Sequence, residues 1–249
     1  MLEELRRIAA TVGKLRGWDF SRVESVRDPV PWDYTDVARL YLRSSDRVLD
    51  VGTGGGEVFL SLAPDFATGV GIDCDPSMIR VAQENTPAGL RDRVSFQVTR
   101  EEVLGFADES FDIVLNRHAD VFADESARVL RPGGFFLHQT VGREDARNVH
   151  RAFGWGPDSF EEGWFQSMST LADQFRQSSC ALVARGEYDV RLWYQNVESL
   201  VFWFKSVPMP EEFDIERHGP KLEAYIAECR TPKGIESNEH RELLIVRKL

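Results

Sequence analysis

Apolar residues along this chain switch repeatedly between helical spacing and short continuous runs, and the switching predicts its elements. Leu2, Leu5, Ile8, Val12 and Leu15 fall at helical intervals, so residues 2–16 read as an amphipathic helix packed on the core. Residues 35–42 read as a short helix leading into an apolar strand at 47–51. Helix 57–62, strand 68–72, helix 76–84 and strand 94–98 follow. Asp75 is placed to cap the second of those helices, with Pro76 at its first position. Residues 111–115 are apolar apart from Asp112, and read as a strand buried in a parallel sheet. A helix over 120–130 is closed by Arg131-Pro132-Gly133-Gly134, and a fifth strand covers 135–138. Strands alternating with helices imply right-handed crossovers and a parallel sheet with helices on both faces.

Beyond residue 142 the pattern is less regular. Helices are expected over 144–153, 169–178 and 221–229, with a helical stripe through Val197, Leu200, Val201 and Phe204. The aromatic, glycine-containing stretch 154–165 reads as a loop near the site mouth. Within 181–194 two extended pieces are expected, Leu182-Val183 and Val190 to Tyr194, and residues 242–247 read as a final strand. No repeat or flexible linker appears. The expectation is one domain: an N-terminal cap (1–45), a ligand-binding core (46–142) and a substrate-side segment that completes the sheet (143–249).

Composition narrows the class. The chain has 249 residues, long enough for a large core, and 42% of them are apolar. A formal charge of -11 argues against a nucleic-acid groove, which needs concentrated Lys and Arg. Cys74, Cys180 and Cys229 are odd in number and lack C-x-x-C spacing. With charges interrupting residues 1–20 and no apolar run of membrane length, these read as reduced thiols in a cytoplasmic protein. Arginine outnumbers lysine, a bacterial, GC-rich signature. The expected state is a monomer or homodimer.

Chemistry concentrates at Arg47-Val48-Leu49-Asp50-Val51-Gly52-Thr53-Gly54-Gly55-Gly56-Glu57. A strand ends in a glycine-rich turn, and a helix opens directly after it, so backbone can approach a nucleotide-like ligand. Dinucleotide binding calls for G-x-G-x-x-G, but here the glycines stand at Gly52, Gly54 and Gly56 and Glu57 follows. A carboxylate beside a pyrophosphate is repulsive, so the turn suits a ligand whose linker carries no phosphate. S-adenosylmethionine is such a ligand, and a nicotinamide oxidoreductase is disfavoured. Asp73 ends the next strand, 17 residues past Gly56, where a carboxylate can accept from both ribose hydroxyls. Cys74 and Met78 lie near the expected adenine position, against plainer roles as filler and core.

With these residues the chain resembles the class I S-adenosylmethionine-dependent methyltransferases. The resemblance rests on residues 48–56, on Gly71-Ile72-Asp73-Cys74-Asp75-Pro76-Ser77-Met78, on 108–115 and on Arg128-Val129-Leu130-Arg131-Pro132-Gly133-Gly134, in family order across 47–140. It implies a Rossmann-like, doubly wound α/β fold with a seven-stranded, mostly parallel sheet whose last strand is antiparallel, behind an N-terminal helical cap. It implies S-adenosylmethionine as methyl donor and S-adenosylhomocysteine as product. It also implies that Asp50, Gly52, Thr53, Gly54 and Gly56 hold the methionine part and Asp73 the ribose. An acid usually meets the adenine after the third strand. Here Arg100 stands in that register, followed by Glu101 and Glu102, so Glu101 becomes the candidate alongside a solvated charged turn. Gly17 to Ser21, Pro31 to Tyr34, Asn116-Arg117-His118 and Gln139 to Gly142 resemble a less common bacterial branch of the family.

Asn116-Arg117-His118 follows the fourth strand, at the edge where open α/β sheets bind ligands. No Asn-Pro-Pro-aromatic run and no Pro-Cys nucleophile occurs there. Asn116 and Arg117 are cofactor-side candidates, Arg117 as a fork for a carboxylate of cofactor or substrate. His118 and, beside Gln139, His138 are candidate general bases, against roles in capping and packing. Trp18, Asp19, Trp32 and Tyr34 suit a lid or an aromatic N-terminal core. Trp155, Trp164, Trp193, Tyr194 and Trp203 suit a pocket wall or core. No metal constellation is evident. The expected function is methyl transfer to oxygen or nitrogen of a small-molecule acceptor, with no nucleic acid and no membrane as partner. The alternatives are an RNA or protein methyltransferase and a binding protein that holds the cofactor without catalysis.

Overall fold

The computed structural model describes residues 2–13, 15–100, 102–156, 159–160 and 165–249. Among them the expected alternation forms one twisted sheet. Its central strands are β2 (Arg47–Val51), β3 (Thr68–Asp73), β4 (Val94–Val98), β5 (Phe111–Arg117) and β6 (Leu130–Val141), after a short β1 (Ser25–Arg27). Long β7 (Cys180–Tyr194), a two-residue β8 (Arg230–Thr231) and long β9 (Gly234–Lys248) complete it. The order is β1-β7-β9-β6-β5-β2-β3-β4, with β8 pairing to β9. Strands β4, β3, β2, β5 and β6 are mutually parallel, and β9 runs antiparallel between β6 and β7. The seven expected strands are thus present with the last one antiparallel, and β1 and β8 are additions.

The helices are α1 (Leu2–Thr11), α2 (Tyr34–Tyr41), α3 (Glu57–Leu62), α4 (Pro76–Asn85), α5 (Ala123–Val129), α6 (Arg147–Phe153), α7 (Met168–Gln177), α8 (Val197–Ser206) and α9 (Ile215–Cys229). On one sheet face Ala38, Phe59, Ile79 and Ala82 of α2, α3 and α4 pack on Val48, Ile113, Leu137 and Ile245. On the other, Ala127, Leu171 and Phe175 of α5 and α7 pack on Leu49, Val114, Phe136 and Leu244. Helices α1, α6, α8 and α9 share a third cluster around Leu5, Phe153, Phe204 and Tyr225. No helix among the described residues is long and apolar enough to cross a membrane.

Several boundaries differ from the sequence reading, each for a local reason. Helix α1 stops at Thr11 rather than residue 16, and Gly13 lies at φ +23. Helix α5 begins at Ala123 rather than Asp120, because Asn116 Nδ2 takes the Asp120 carbonyl at 3.0 Å and Phe122 is extended. The Arg131 to Gly134 stretch does not end in a turn before the strand. It is a bulged lead-in, with Phe111 opposite Leu130 and Ile113 opposite Phe135. The two pieces expected in 181–194 are one strand, shifted in register between Leu182 and Ala184. Strand β9 starts at Gly234, eight residues before the expected start, since Asn238 to Glu242 is polar on both faces and hides its strand character. There Arg241 pairs with Asp145 at 2.6 Å and Tyr188 donates to Glu239 at 2.7 Å. Helix α9 starts at Ile215 and carries Pro220 inside, a residue that reads as a break in sequence.

Phe136 is fully buried and tilted on Phe175 at 4.6 Å, whereas Leu40 is 81% exposed. Chemical denaturation should show Phe136→Ala losing about 3–5 kcal/mol. Leu40→Ala should stay within about 0.5 kcal/mol. Equal costs would contradict this packing.

Candidate functional site

Strand order reverses between β2 and β5, where crossovers leave in opposite directions and open a crevice at the carboxyl edge. The glycine turn forms one wall. Gly52 and Gly54 lie at φ +71 and +56, a region L side chains rarely enter. A Cβ on Gly52 would stand 2.2 Å from Ala119 Cβ, and one on Gly54 2.7 Å from the Trp18 ring. The turn is closed by Thr53 N–H donating to Ile72 O at 2.8 Å, and Gly56 caps α3. The half-buried Glu57 carboxyl is held above its usual range by burial. Thr53 Oγ1 is buried with no hydrogen-bond partner among the described residues.

Asp73 reaches this turn from the end of β3. Its Oδ2 accepts from Gly54 N at 2.9 Å and its Oδ1 from Asp75 N at 2.9 Å. Asp75 caps α4 as expected, accepting from Ser77 N at 2.7 Å. Cys74 is exposed and Met78 is half-buried on α4. Arg100 and Glu102 are exposed after β4, while Glu101 and Trp164 lie outside the described residues.

Polar side chains gather where β2, β5 and β6 end. Asp50 is buried, and loss of solvent pushes its carboxyl up to about 7. Tyr34, whose hydroxyl donates to Leu137 O at 3.4 Å, packs on the same face and is raised by burial. Arg117 is largely withdrawn from water, which lowers its pKa. Asn116 donates Nδ2 to the Asp120 carbonyl, so its Oδ1 faces His138 Nδ1 at 2.9 Å. That fixes the tautomer: His138 donates from Nδ1, and Nε2 keeps its lone pair. Burial lowers His138 to about 4. His118 sits at φ +67 with its N–H on Gln139 O at 2.9 Å. Its Nδ1 is buried without a partner among the described residues, and burial, then Arg117, hold it well below its usual value.

The aromatic candidates separate. Trp32 donates to Gln139 Oε1 at 3.0 Å and meets Tyr188 edge-on, so it belongs to the body with buried Tyr34. Trp18 lies on Gly54 and stacks on Phe20 at 5.6 Å, so the segment before β1 crosses the glycine turn. Asp19 Oδ1 accepts from Ser21 N. Trp155, Tyr194 and Trp203 belong to the helical cluster, and Trp193 is buried with Nε1 on Glu236.

Residues 49–138 match the family model described as a methyltransferase domain. That stretch is less than half of the chain, and over it the chain is similar to the class I S-adenosylmethionine-dependent methyltransferases. It is 37% identical over 102 residues to an uncharacterized methyltransferase, YcgJ, of Bacillus subtilis, covering 38% of this chain and 40% of that one. It is 26% identical over 182 residues to a malonyl-[acyl-carrier protein] O-methyltransferase of Marinomonas, covering 69% and 66%. The matches thus span about two thirds or less of these curated relatives. A functionally unknown protein of Deinococcus radiodurans shares the fold at a TM-score of 0.59 and 16% identity, covering 99% of this chain and 100% of that one.

Outside the matched residues, the fold also brings together a group that the sequence pattern does not reveal. Ligand atoms of Glu187, His240 and Glu242 lie within 4.8 Å of one another. The signal lies in strand register, Glu187 standing opposite Glu242 across β7 and β9, which no linear spacing reveals. His240 Nδ1 accepts from Glu144 N at 3.0 Å, so in the neutral ring Nε2 carries the proton and acts as a donor.

Two measurements check this site. Gly52→Ala should cost about 1–3 kcal/mol in chemical denaturation, from the left-handed backbone and the Ala119 contact; an unchanged midpoint would contradict the turn. His138 should appear by nitrogen NMR as a neutral ring protonated on Nδ1, titrating near about 4 rather than 6.5. Between those values the unfolded chain binds the extra proton, so His138 removes stability as pH falls. Asp50 acts in the opposite direction, losing stability as pH rises from 3.8 to about 7, so the ring must be observed directly.

Proposed function

We propose that this chain transfers a methyl group from S-adenosylmethionine to a small-molecule acceptor at oxygen or nitrogen. The observation that carries the reading is the contact between Asp73 and Gly54 N, which joins a carboxylate at the end of β3 to the glycine turn at the strand-order reversal. In this reading Gly52, Thr53, Gly54 and Gly56 cradle the methionine part. Asp73 accepts from the ribose hydroxyls, and Cys74 and Met78 flank the adenine. The residues fit such a ligand: the turn has no room for a Cβ at Gly52 or Gly54, and Thr53 Oγ1 lacks a partner.

When bound, the cofactor supplies a methyl group on an already activated sulfonium. The protein's part is to align the acceptor and exclude water. The segment carrying Trp18 covers the turn. The neutral rings of His118 and His138 stand on the acceptor side, ready to take a proton when the acceptor must lose one. Asn116 sets which nitrogen of His138 is basic. A net charge of -11 favours a small acceptor over nucleic acid. Names among the relatives, such as ubiquinone biosynthesis O-methyltransferase, favour oxygen over nitrogen.

Calorimetry should show S-adenosylmethionine and S-adenosylhomocysteine binding, with Asp73→Ala weakening both by about ten- to a hundredfold, as loss of charge-assisted hydrogen bonds implies. NADH should give no heat. Binding of NADH in place of the other two would overturn the reading.

A further inference from the structure

The acceptor side of the site is poor in usable base and rich in positive charge. Burial lowers His138 to about 4, and burial, then Arg117, hold His118 well below its usual value. Rings so weakened draw a proton poorly from an alcohol or an ammonium group. The positive charge comes from two arginines on one sheet face. Arg117 of β5 stands opposite Gln139 of β6, and Val141, two residues on, stands opposite Arg241 of β9. Opposed residues share a face and alternate residues return to it, so Arg117, Gln139 and Arg241 project to the same side.

Two of these three side chains are satisfied. Arg241 pairs with Asp145 at 2.6 Å, and Gln139 accepts from Trp32 at 3.0 Å. Arg117 makes no ion pair and no hydrogen bond among the described residues; Asp33 and Asp50 influence its charge, yet neither pairs with it. A guanidinium withdrawn from water without a partner is costly, so it calls for an anion. Next to it in the chain, His118 is held in the left-handed region at φ +67, and its buried Nδ1 also lacks a partner among the described residues. A neutral ring protonated on Nδ1 donates one hydrogen bond, which an anion on Arg117 can accept. Arg117 itself offers a planar fork that matches a carboxylate.

We infer that the acceptor is a carboxylic acid, bound as its carboxylate by Arg117 and His118 and converted to its methyl ester. This rests on the methyl-transfer reading above and names the class of its acceptor. A carboxylate oxygen bonds to the methyl carbon as the methyl–sulfur bond breaks, and the electron pair of that bond goes to sulfur. The sulfonium becomes a neutral thioether and the carboxylate a neutral ester, with no proton transferred. A carboxylate oxygen has two lone pairs, so one remains for attack when the other accepts from the fork. Opposite charges cancel along this path. Water stabilises both ions and must be given up, so a site that excludes it favours the reaction. The burial that makes the two histidines poor bases therefore suits an anionic acceptor. The ester lacks the charge that Arg117 binds, so product is held more weakly than acid.

The test uses probes that share a skeleton and differ in one group: benzoic acid, benzyl alcohol and benzylamine, and octanoic acid, octan-1-ol and octylamine. Each is titrated by calorimetry into the protein saturated with S-adenosylhomocysteine, in wild type and Arg117→Gln, with circular dichroism to confirm folding. The acids should bind about tenfold or more tighter than the matching alcohols and amines. Arg117→Gln should abolish that preference while S-adenosylhomocysteine itself binds within about twofold of wild type. With S-adenosylmethionine in its place, any transferred methyl should be released as methanol by mild alkali, which cleaves esters and spares ethers and amines. Equal binding of the three groups, binding of neither acid, or an alkali-stable methyl would overturn the inference. So would loss of S-adenosylhomocysteine from the variant in step with the acids, since Arg117 would then serve the cofactor. The wild-type ranking and the alkali treatment decide the matter if the variant does not fold. Failure of wild type to bind S-adenosylhomocysteine at all would instead bring down the cofactor reading, and the inference with it.

Discussion

Because β2 pairs with β3 on one side and β5 on the other, all three parallel, the chain must leave the carboxyl edge in opposite directions on either side of β2. No crossover can cover the opening between them. The strand-end groups of the candidate site converge on that opening: the glycine turn after β2, Asp73 after β3, and Asn116, Arg117 and His118 after β5. The apolar clusters on the two faces hold those strand ends in register. Parallel pairing is thus the constraint, and the site follows from it.

Elements whose faces differ in polarity were legible in the sequence. Helix α3 and strand β4 have the expected bounds, and Asp75 caps α4 as its position before Pro76 implies. The first half of β9 was not legible, since Asn238 to Glu242 offers no hydrophobic period; its partners come from Asp145, Tyr188 and Arg27, far away in sequence. Residue types at the site were legible because chemistry demands them at strand ends. Their electrostatics were not. The height of the Asp50 carboxyl and the neutrality of His118 and His138 depend on burial, and the His138 tautomer depends on a backbone carbonyl at Asp120.

The two histidines show how position and basicity diverge. Both stand where a base would be useful, and both are kept neutral by the same withdrawal of water that helps align reactants. A ring near about 4 is a weak base, so it can assist only an acceptor whose proton is already loosely held. Under the proposed reading, acceptor acidity and site burial are therefore linked.

Strand β7 bears on behaviour away from the site. Among the described residues, strand β1 pairs with its outer edge at Leu192, Trp193 and Tyr194. Along the rest of that edge the exposed apolar pair Leu182 and Val183 sits at the register shift, and the charged Arg185, Glu187, Asp189 and Arg191 follow beyond it. A bent ladder followed by charged side chains is a poor template for another strand. The irregularity that divides β7 in sequence thus guards an unpaired edge against joining a neighbouring chain.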